Sequence, residues 1–333
     1  MKVLLYFENQ KAMRQSGIGR ALVHQKKALE LAGVDYTLDP NDTYDLAHIN
    51  TLFFSSYKQL KKCRKKGVKT IVHGHSTIED FRDSFRIWKL IAPIYNKLIL
   101  RMYRHASYII TPTNYSKGLI ENYKGVNAKV YAVSNGIKLE DYAYNEDKVK
   151  AYKEFIHYEE GKKVVICAGL YFERKGILDF FEVARRRPDV TFVWFGTLKP
   201  ILTPLKILKA IKNKPDNVIM AGYQTDVLKG AFMAADAFMF LSKEETEGIV
   251  VLEALASRLP VILRDIPVFG DWLTDKKEVL KGKNVDEWLG CLDYVFNNDL
   301  TKMKDEGYKI VEERTLDKVG NKLKAIYEEV YNS

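Results

Sequence analysis

Two glutamates, Glu245 and Glu253, stand eight positions apart in this chain of 333 residues. They follow an apolar, strand-like run at residues 237–242, and the second lies in an alanine-rich segment that favours a helix. Open α/β sheets bind nucleotides beside the carboxyl ends of their strands, where the next helix offers N–H groups to a diphosphate. Carboxylates at such a turn can accept hydrogen bonds from sugar hydroxyls. The pattern predicts a sugar-nucleotide site; the alternative is a solvated turn before an ordinary amphipathic helix.

A second candidate is the glycine-bounded turn at residues 169–176, which follows another strand-like run and contains Arg174 and Lys175. Two adjacent cations in such a turn can neutralise a departing diphosphate without a metal ion. The sequence contains no Asp-x-Asp motif for binding a metal. The alternative is a solvated basic turn.

Two further groups follow strand-like runs in the first half of the chain. Gly17 and Gly19 let the backbone approach a ligand closely, because glycine has no Cβ, although the third glycine of a dinucleotide fingerprint is absent. His73 and His75 end a strand, and we expect their rings on opposite faces of it. His75 is favoured over His73 as the site residue.

The elements that must position these residues alternate between strand and helix. Strand-like runs occur at residues 2–7, 46–50, 70–73, 108–111 and 129–134, and again at 163–168, 190–195, 217–221, 236–241 and 260–263. Such alternation predicts parallel, doubly wound sheets. A polar stretch at 138–160 suggests a linker between two domains.

In its order of motifs the chain resembles the retaining glycosyltransferases of family 4, from Gly17 through the Glu245–Ala256 segment to Pro260. The resemblance implies the GT-B fold, in which two Rossmann-like domains face each other across a cleft. The N-terminal domain, at 1–145, would bind the acceptor and the membrane, and the second, at 146–315, would bind the nucleotide sugar. A helix at 316–333 would cross back to the N-terminal domain. It also implies that Glu253 binds the ribose, that Glu245 binds the donor sugar, and that Arg174 and Lys175 bind the diphosphate. Gly17 and Gly19 would face the donor phosphate and the acceptor, and His75 would lie near the reacting centre. No metal cofactor is expected.

The chain departs from the family pattern at three positions. Leu170 stands where the family usually has arginine, so that Arg174 would have to supply that charge. Glu247 replaces a frequent aromatic residue, and Arg258 replaces a frequent glycine. The departures at Glu247 and Arg258 concern the sugar pocket more than the nucleotide site.

Composition and charge narrow the class further. Three widely spaced cysteines argue against a disulfide framework or a zinc site and favour a reducing cytosol. No apolar run approaches the ~20 residues of a membrane span, and the N-terminus reads as a strand. The net charge is +10, and residues 51–104 contain thirteen basic and three acidic residues. Such a surface predicts a polyanionic neighbour.

Residues 85–104 indicate which neighbour that is. At about 100° per residue, their basic residues share one stripe opposite an apolar face that includes Trp88, Ile99 and Met102. This is typical of a helix in a membrane interface, although a core-packed helix gives the same periodicity. The alternative partner is a nucleic acid, but the sequence contains no nucleic-acid recognition motif that would support it. The predicted surface for the membrane and the acceptor comprises Lys61, Lys62, Lys65, Lys66, Arg86, Trp88 and Lys89.

Three segments, at residues 44–50, 73–77 and 263–269, resemble bacterial enzymes that add a second sugar to α-glucosyl-diacylglycerol. The resemblance implies transfer of a hexose from UDP-galactose or UDP-glucose to a membrane glycolipid, in the synthesis of the lipoteichoic acid anchor. The enzyme would work at the inner face of the cell membrane. A polysaccharide acceptor and a sugar-nucleotide epimerase remain the alternatives.

Overall fold

The computed structural model describes residues 1–9, 13 and 16–333. The chain forms two compact units. The first comprises Met1–Phe81, Lys89–Ile137 and Arg314–Ser333, and the second comprises Arg82–Trp88 and Lys138–Glu313. The C-terminal segment thus belongs to the first unit, whereas the short peptide before residue 89 belongs to the second.

A parallel six-stranded sheet, in the order β2-β1-β3-β4-β5-β6, forms the centre of the first unit. Its strands are β1 Lys2–Tyr6, β2 Asp35–Thr37, β3 Leu46–Ile49, β4 Lys69–His73, β5 Tyr108–Thr111 and β6 Lys129–Ala132. Central strands such as β3 are buried along their whole length, because helices cover both faces of a parallel sheet. The order reverses between β1 and β3, and a ligand site is expected at such a switch point.

The helices of this unit are α1 Gly17–Leu31, α2 Phe54–Lys65, α3 Trp88–His105, α4 Asn114–Glu121 and, at the end of the chain, α13 Leu316–Asn332. Helix α13 packs on α1 and buries Leu323, Tyr327 and Val330 in the same core as Val3 and Leu29. Gly320 lets the two helices approach closely, since a Cβ there would overlap the carbonyl oxygen of Ala28.

The second unit contains another parallel sheet, in the order β12-β11-β10-β7-β8-β9. Its strands are β7 Val164–Ala168, β8 Thr191–Phe195, β9 Val218–Gly222, β10 Ala237–Phe240, β11 Val261–Arg264 and β12 Leu280–Gly282. The switch point lies between β7 and β10. The loops after these two strands contain the two candidate groups, Arg174–Lys175 and Glu245.

The helices of the second unit are α5 Glu146–Phe155, α6 Ile177–Arg186, α7 Leu205–Lys212, α8 Thr225–Ala234, α9 Ile249–Ala256, α10 Pro267–Gly270, α11 Val285–Asn297 and α12 Thr301–Glu312. The stretch interpreted as a linker contains α5, which packs on α8. Gly230 of α8 allows this contact, because a Cβ there would overlap the carbonyl oxygen of Lys148.

The predicted fold class, two Rossmann-like α/β domains with parallel sheets, is confirmed. The short edge strands β2 and β12 were not predicted. Within the described part of the chain, no helix is both long enough and apolar enough to cross a bilayer.

Candidate active site

The side chain of Glu245 is the centre of a buried polar cluster at the carboxyl end of β10. It is 8% exposed and forms an ion pair with Lys175. The Arg174 Nη1 atom lies 3.7 Å from Oε1 of Glu245, and the Ser242 hydroxyl donates to the same oxygen at 2.6 Å. One carboxylate therefore holds both cations that the sequence predicted for the diphosphate.

The charges of this cluster determine the protonation of Glu245. Burial by itself raises the pKa of a carboxyl group, but the positive charges of Lys175 and Arg174 and the hydrogen bonds from Lys175 and Ser242 outweigh burial here. The pKa of Glu245 is consequently held below its ordinary value. The carboxylate is an acceptor at neutral pH and is suited to bind sugar hydroxyl groups.

The turn that presents Arg174 and Lys175 depends on Gly176. This glycine has a φ of 78°, and a Cβ at this position would overlap the carbonyl group of Leu241 at the end of β10. The neighbouring Arg174 donates from Nε to Oγ of Ser84 at 2.8 Å and from Nη1 to the carbonyl oxygen of Glu244 at 2.9 Å. Its guanidinium group is therefore held in place by the loop after β10 and by the peptide at 82–88.

The second carboxylate, Glu253, lies in α9 and is fully buried. Its Oε1 atom accepts a hydrogen bond from the hydroxyl of Tyr142 at 2.7 Å. Gly248 precedes the helix with a φ of 88°, which turns the chain between the two glutamates. Tyr142 and Ser242 were not predicted as site residues. Tyr142 lies 111 positions from its partner, and no local pattern marks it.

In the first unit, His48, His73 and His75 form a buried stack. The rings of His73 and His75 are 3.7 Å apart and nearly parallel, and those of His48 and His73 are 5.1 Å apart. The expectation of opposite faces for His73 and His75 is wrong, because residues two apart on a strand point the same way. His48, on the adjacent strand β3, was not predicted as part of the group.

Hydrogen bonds distinguish the two predicted histidines. Nδ1 of His73 lies 3.0 Å from Nε2 of His48, so that its ring belongs to the interior network. Nε2 of His75 lies 3.3 Å from Oδ1 of Asn50, and His75 follows the end of β4. Burial lowers the pKa of His75 to about 3 and that of His48 to about 3, and it also lowers the pKa of His73. All three imidazoles are neutral at pH 7.

The two glycines near the N-terminus are part of a helix. Gly17 and Gly19 form the first turn of α1, and the amide N–H of Gly19 donates to the Ser16 side chain at 3.2 Å. The residues before this cap lie largely outside the described part of the chain. Gly17 has open space where a Cβ would be, so that the expected close approach of a ligand stays a prediction.

The basic residues of α2 are on its exposed side. Lys61, Lys65 and Lys66 are exposed, whereas Lys62 is half-buried with Nζ 3.4 Å from the carbonyl oxygen of Pro40. The Arg101 guanidinium lies 4.4 Å from the ring centroid of Tyr57, and Lys61 approaches the same ring at 5.7 Å. Helices α2 and α3 thus share one basic surface.

The predicted lipid-facing side of residues 85–104 is wrong over its C-terminal half. Ile99 and Met102 are fully buried in the protein core with Tyr103, and Tyr95 packs against the same cluster. Ile91 of the predicted face reaches solvent, together with Ile87, Leu90 and Ile94 at the start of the helix and just before it. The residues assigned to the N-terminal half are also divided, since Arg86 and Trp88 belong to the second unit and Lys89 to the first.

The described residues include no group of three or more histidine, cysteine, aspartate or glutamate side chains arranged to hold a metal ion. The expectation of a metal-free enzyme stays a prediction.

Comparison with known proteins supports the predicted family. Residues 24–141 match the family described as Glycosyltransferase Family 4, and residues 149–310 match Glycosyl transferases group 1. The chain is 53% identical to the processive diacylglycerol alpha-glucosyltransferase of Acholeplasma laidlawii over 331 residues, which cover 99% of this chain and 98% of the relative. It is 27% identical to the alpha-monoglucosyldiacylglycerol synthase of Streptococcus pneumoniae, covering 75% of this chain and 57% of that protein.

Solved structures agree on the fold. The Anabaena protein HepE, in complex with UDP-glucose, superimposes with a TM-score of 0.78 at 14% identity, covering 99% of this chain and all of that one. The paired carboxylates, the basic turn at the switch point and the match over the whole chain lead to one conclusion. The chain belongs to the family 4 glycosyltransferases and has their GT-B fold.

Proposed function

We propose that this glycosyltransferase is a retaining enzyme that transfers glucose from UDP-glucose to a diacylglycerol glycolipid, with α-glucosyl-diacylglycerol as acceptor. The observation that carries the proposal is the 53% identity, along essentially the full length of both chains, to a processive diacylglycerol alpha-glucosyltransferase. A processive enzyme adds a sugar to its own glycosylated product, in agreement with the expected second transfer. The name of this relative favours glucose over galactose.

The buried cluster around Glu245 supports a role in binding the donor. As the bond between C1 of glucose and the diphosphate breaks, negative charge grows on the leaving phosphate, and Lys175 and Arg174 supply the opposing charge. Glu245 would bind the hydroxyl groups of the donor sugar, and Glu253 would bind the ribose. The acceptor oxygen bonds to C1 on the face that the diphosphate leaves, and its proton passes to the leaving phosphate. This route needs no protein nucleophile and no metal.

His75 is proposed to contact the reacting sugar as a neutral imidazole. Its burial keeps the pKa low, so that the ring can donate or accept a hydrogen bond without adding positive charge. The bond to Asn50 and the stacking on His73 fix the orientation of the ring.

A lipid acceptor requires the enzyme to work at a bilayer, and the first unit offers a surface for this. On α3, the exposed Lys89 and Lys97 are helical neighbours of Leu90 and Ile94, which are 76% and 66% exposed. Basic residues near an anionic bilayer each contribute about 1 kcal/mol, and aliphatic side chains enter the interface. We propose that the protein acts at the inner face of the cell membrane, where the glycolipid would anchor lipoteichoic acid.

Product analysis tests this function. The protein is incubated with vesicles that contain α-glucosyl-diacylglycerol, and UDP-glucose and UDP-galactose are supplied in separate reactions. We expect a diglucosyl lipid with a new α-linkage from UDP-glucose, and slower transfer or none from UDP-galactose. A preference for UDP-galactose would correct the donor. Transfer only to a soluble saccharide would favour the polysaccharide alternative, and interconversion of the UDP-sugars without transfer would favour the epimerase.

A further inference from the structure

The second unit has an apolar and basic surface of its own, at residues 198–212. Ile201 is 75% exposed, Leu205 is 59% exposed and Leu202 is 42% exposed. Residues 190–215 contain five lysines and no aspartate or glutamate. Large aliphatic side chains that stand together in solvent mark an interaction surface.

The loop before α7 is well ordered by hydrogen bonds. Thr203 is fully buried, and its hydroxyl donates to the carbonyl oxygen of Lys199 at 3.1 Å. The amide N–H of Leu202 donates to the same carbonyl oxygen at 2.9 Å. The buried Thr203 therefore anchors the loop, while Ile201 and Leu202 on its outer side extend into solvent.

Two neighbouring elements extend this surface. The amide N–H of Arg86 donates to the carbonyl oxygen of Leu202 at 2.9 Å, which brings exposed Arg86 and Ile87 beside the loop. On α7, Leu205, Lys209 and Lys212 share one exposed stripe, and Ile207 on the opposite side is fully buried. Aliphatic side chains thus stand among lysines and an arginine on one face of the unit.

We propose that this surface is a second membrane contact, which docks the nucleotide-binding unit on an anionic bilayer. The inference rests on the proposed lipid acceptor. A bilayer matches both features of the surface, because its headgroups attract the lysines and its acyl region receives aliphatic side chains. A second copy of the same surface would place lysines against lysines, and a nucleic acid offers no apolar layer for Ile201 and Leu205.

A polarity-sensitive fluorophore at position 201 tests the contact. The variant Ile201→Cys is made with Cys291→Ser, since Cys63 and Cys167 are buried. The matched control is Tyr294→Cys in the same background: Tyr294 is 46% exposed on α11, which has three acidic and no basic residues. On phosphatidylglycerol vesicles we expect a blue shift and quenching by brominated lipid at position 201, but not at 294. An unchanged spectrum at 201 from protein that sediments with the vesicles would overturn the proposal.

A second measurement uses the double variant Ile201→Asp, Leu205→Asp. We expect its affinity for the vesicles to fall roughly tenfold, with UDP-glucose binding unchanged. Unchanged vesicle affinity would count against the contact. The two proposals can fail separately. If the probe enters the bilayer but no glycolipid forms, only the proposed acceptor is refuted. If glycolipid forms but the spectrum of the probe does not change, only the second membrane contact is refuted.

Discussion

The hydroxyl of Tyr327 lies 2.6 Å from Nδ1 of His48, which connects the C-terminal helix to the histidine stack. Gln25 of α1 places its side-chain Nε2 at 2.9 Å from the same ring nitrogen. Because the amide nitrogen of Gln25 can only donate, Nδ1 of His48 accepts from it and from the Tyr327 hydroxyl. The Nε2 atom of His48 then carries the proton and donates it to Nδ1 of His73. Residues from α1, α13, β3 and β4 thus join in one buried polar network, and His75 stacks on its last member, His73.

This network predicts that acid destabilises the protein. In the unfolded chain a histidine binds a proton below about pH 6.5, whereas burial lowers the folded pKa of His48 and His75 to about 3. The unfolded state therefore binds more protons between these values. The contribution of these histidines to the unfolding free energy is fully present above pH 6.5. It falls with decreasing pH, by up to about 1.4 kcal/mol per pH unit for each histidine.

Urea denaturation at pH 7.5 and at pH 5.5 measures the effect. Between the two pH values, we expect His48→Gln to lose less stability than the wild type. The control His105→Gln removes an exposed histidine and should lose as much stability as the wild type. An equal loss in the wild type and in His48→Gln would show that this ring takes no part in it.

Gly320→Ala should destabilise the first unit even though alanine favours helix formation. The added Cβ would overlap the carbonyl oxygen of Ala28 and push α13 away from α1. Overpacking of this kind costs about 1–3 kcal/mol. Thermal unfolding would detect it, with Gly118→Ala as the control, because the Cβ at that helical position meets open space. The control should be neutral or slightly stabilising, and equal melting temperatures for the two variants would contradict the packing argument.

Lys175→Ala and Glu253→Ala should both impair use of the donor, in different ways. Lys175 opposes charge that grows as the diphosphate leaves, so that its loss should lower kcat by about 10²–10³. If Glu253 binds ribose in the ground state and in the transition state alike, its loss should chiefly raise KM for the UDP-sugar. Steady-state kinetics separate the two effects, and Lys163→Ala, which removes a surface ion pair with Asp236, is the control. Wild-type constants for both variants would show that neither Lys175 nor Glu253 belongs to the donor site.

Activity should persist in the presence of a chelator. The guanidinium of Arg174 and the ammonium group of Lys175 are adjacent in the chain and near the same carboxylate, and they can stabilise the leaving group in place of a divalent ion. Initial rates with and without EDTA check this prediction. If EDTA abolishes turnover and magnesium or manganese restores it, the two cations do not suffice.

Reversal of the basic surface on the first unit should weaken membrane binding. Lys61, Lys65 and Lys66 are exposed, and their replacement by glutamate should reduce sedimentation with anionic vesicles, most strongly at low salt. The control is the same reversal at Lys150, Lys153 and Lys302, which are exposed on the second unit. Binding of UDP-glucose should be unchanged in both variants. Equal affinity of the wild type for neutral and anionic vesicles would show that the basic surface is solvated and does not contact the membrane.

The sequence by itself determined the fold class and the loops that bear the candidate donor site. Apolar runs with a short period, separated by helical patterns, are enough to specify parallel sheets, since each strand must be covered on both faces. Residues that directly follow two such strands meet at the same edge of the sheet. For this reason the turn with Lys175 and the loop with Glu245 could be expected together.

The tertiary structure alone decided which apolar surfaces are covered and which distant residues meet. The periodicity of residues 85–104 indicates an apolar stripe, but packing on the core buries Ile99 and Met102 and leaves Leu90 and Ile94 in solvent. The contacts of His48 with Tyr327 and of Glu253 with Tyr142 join residues 279 and 111 positions apart. Such pairs leave no local pattern, because hydrogen bonding depends on where whole helices and strands pack.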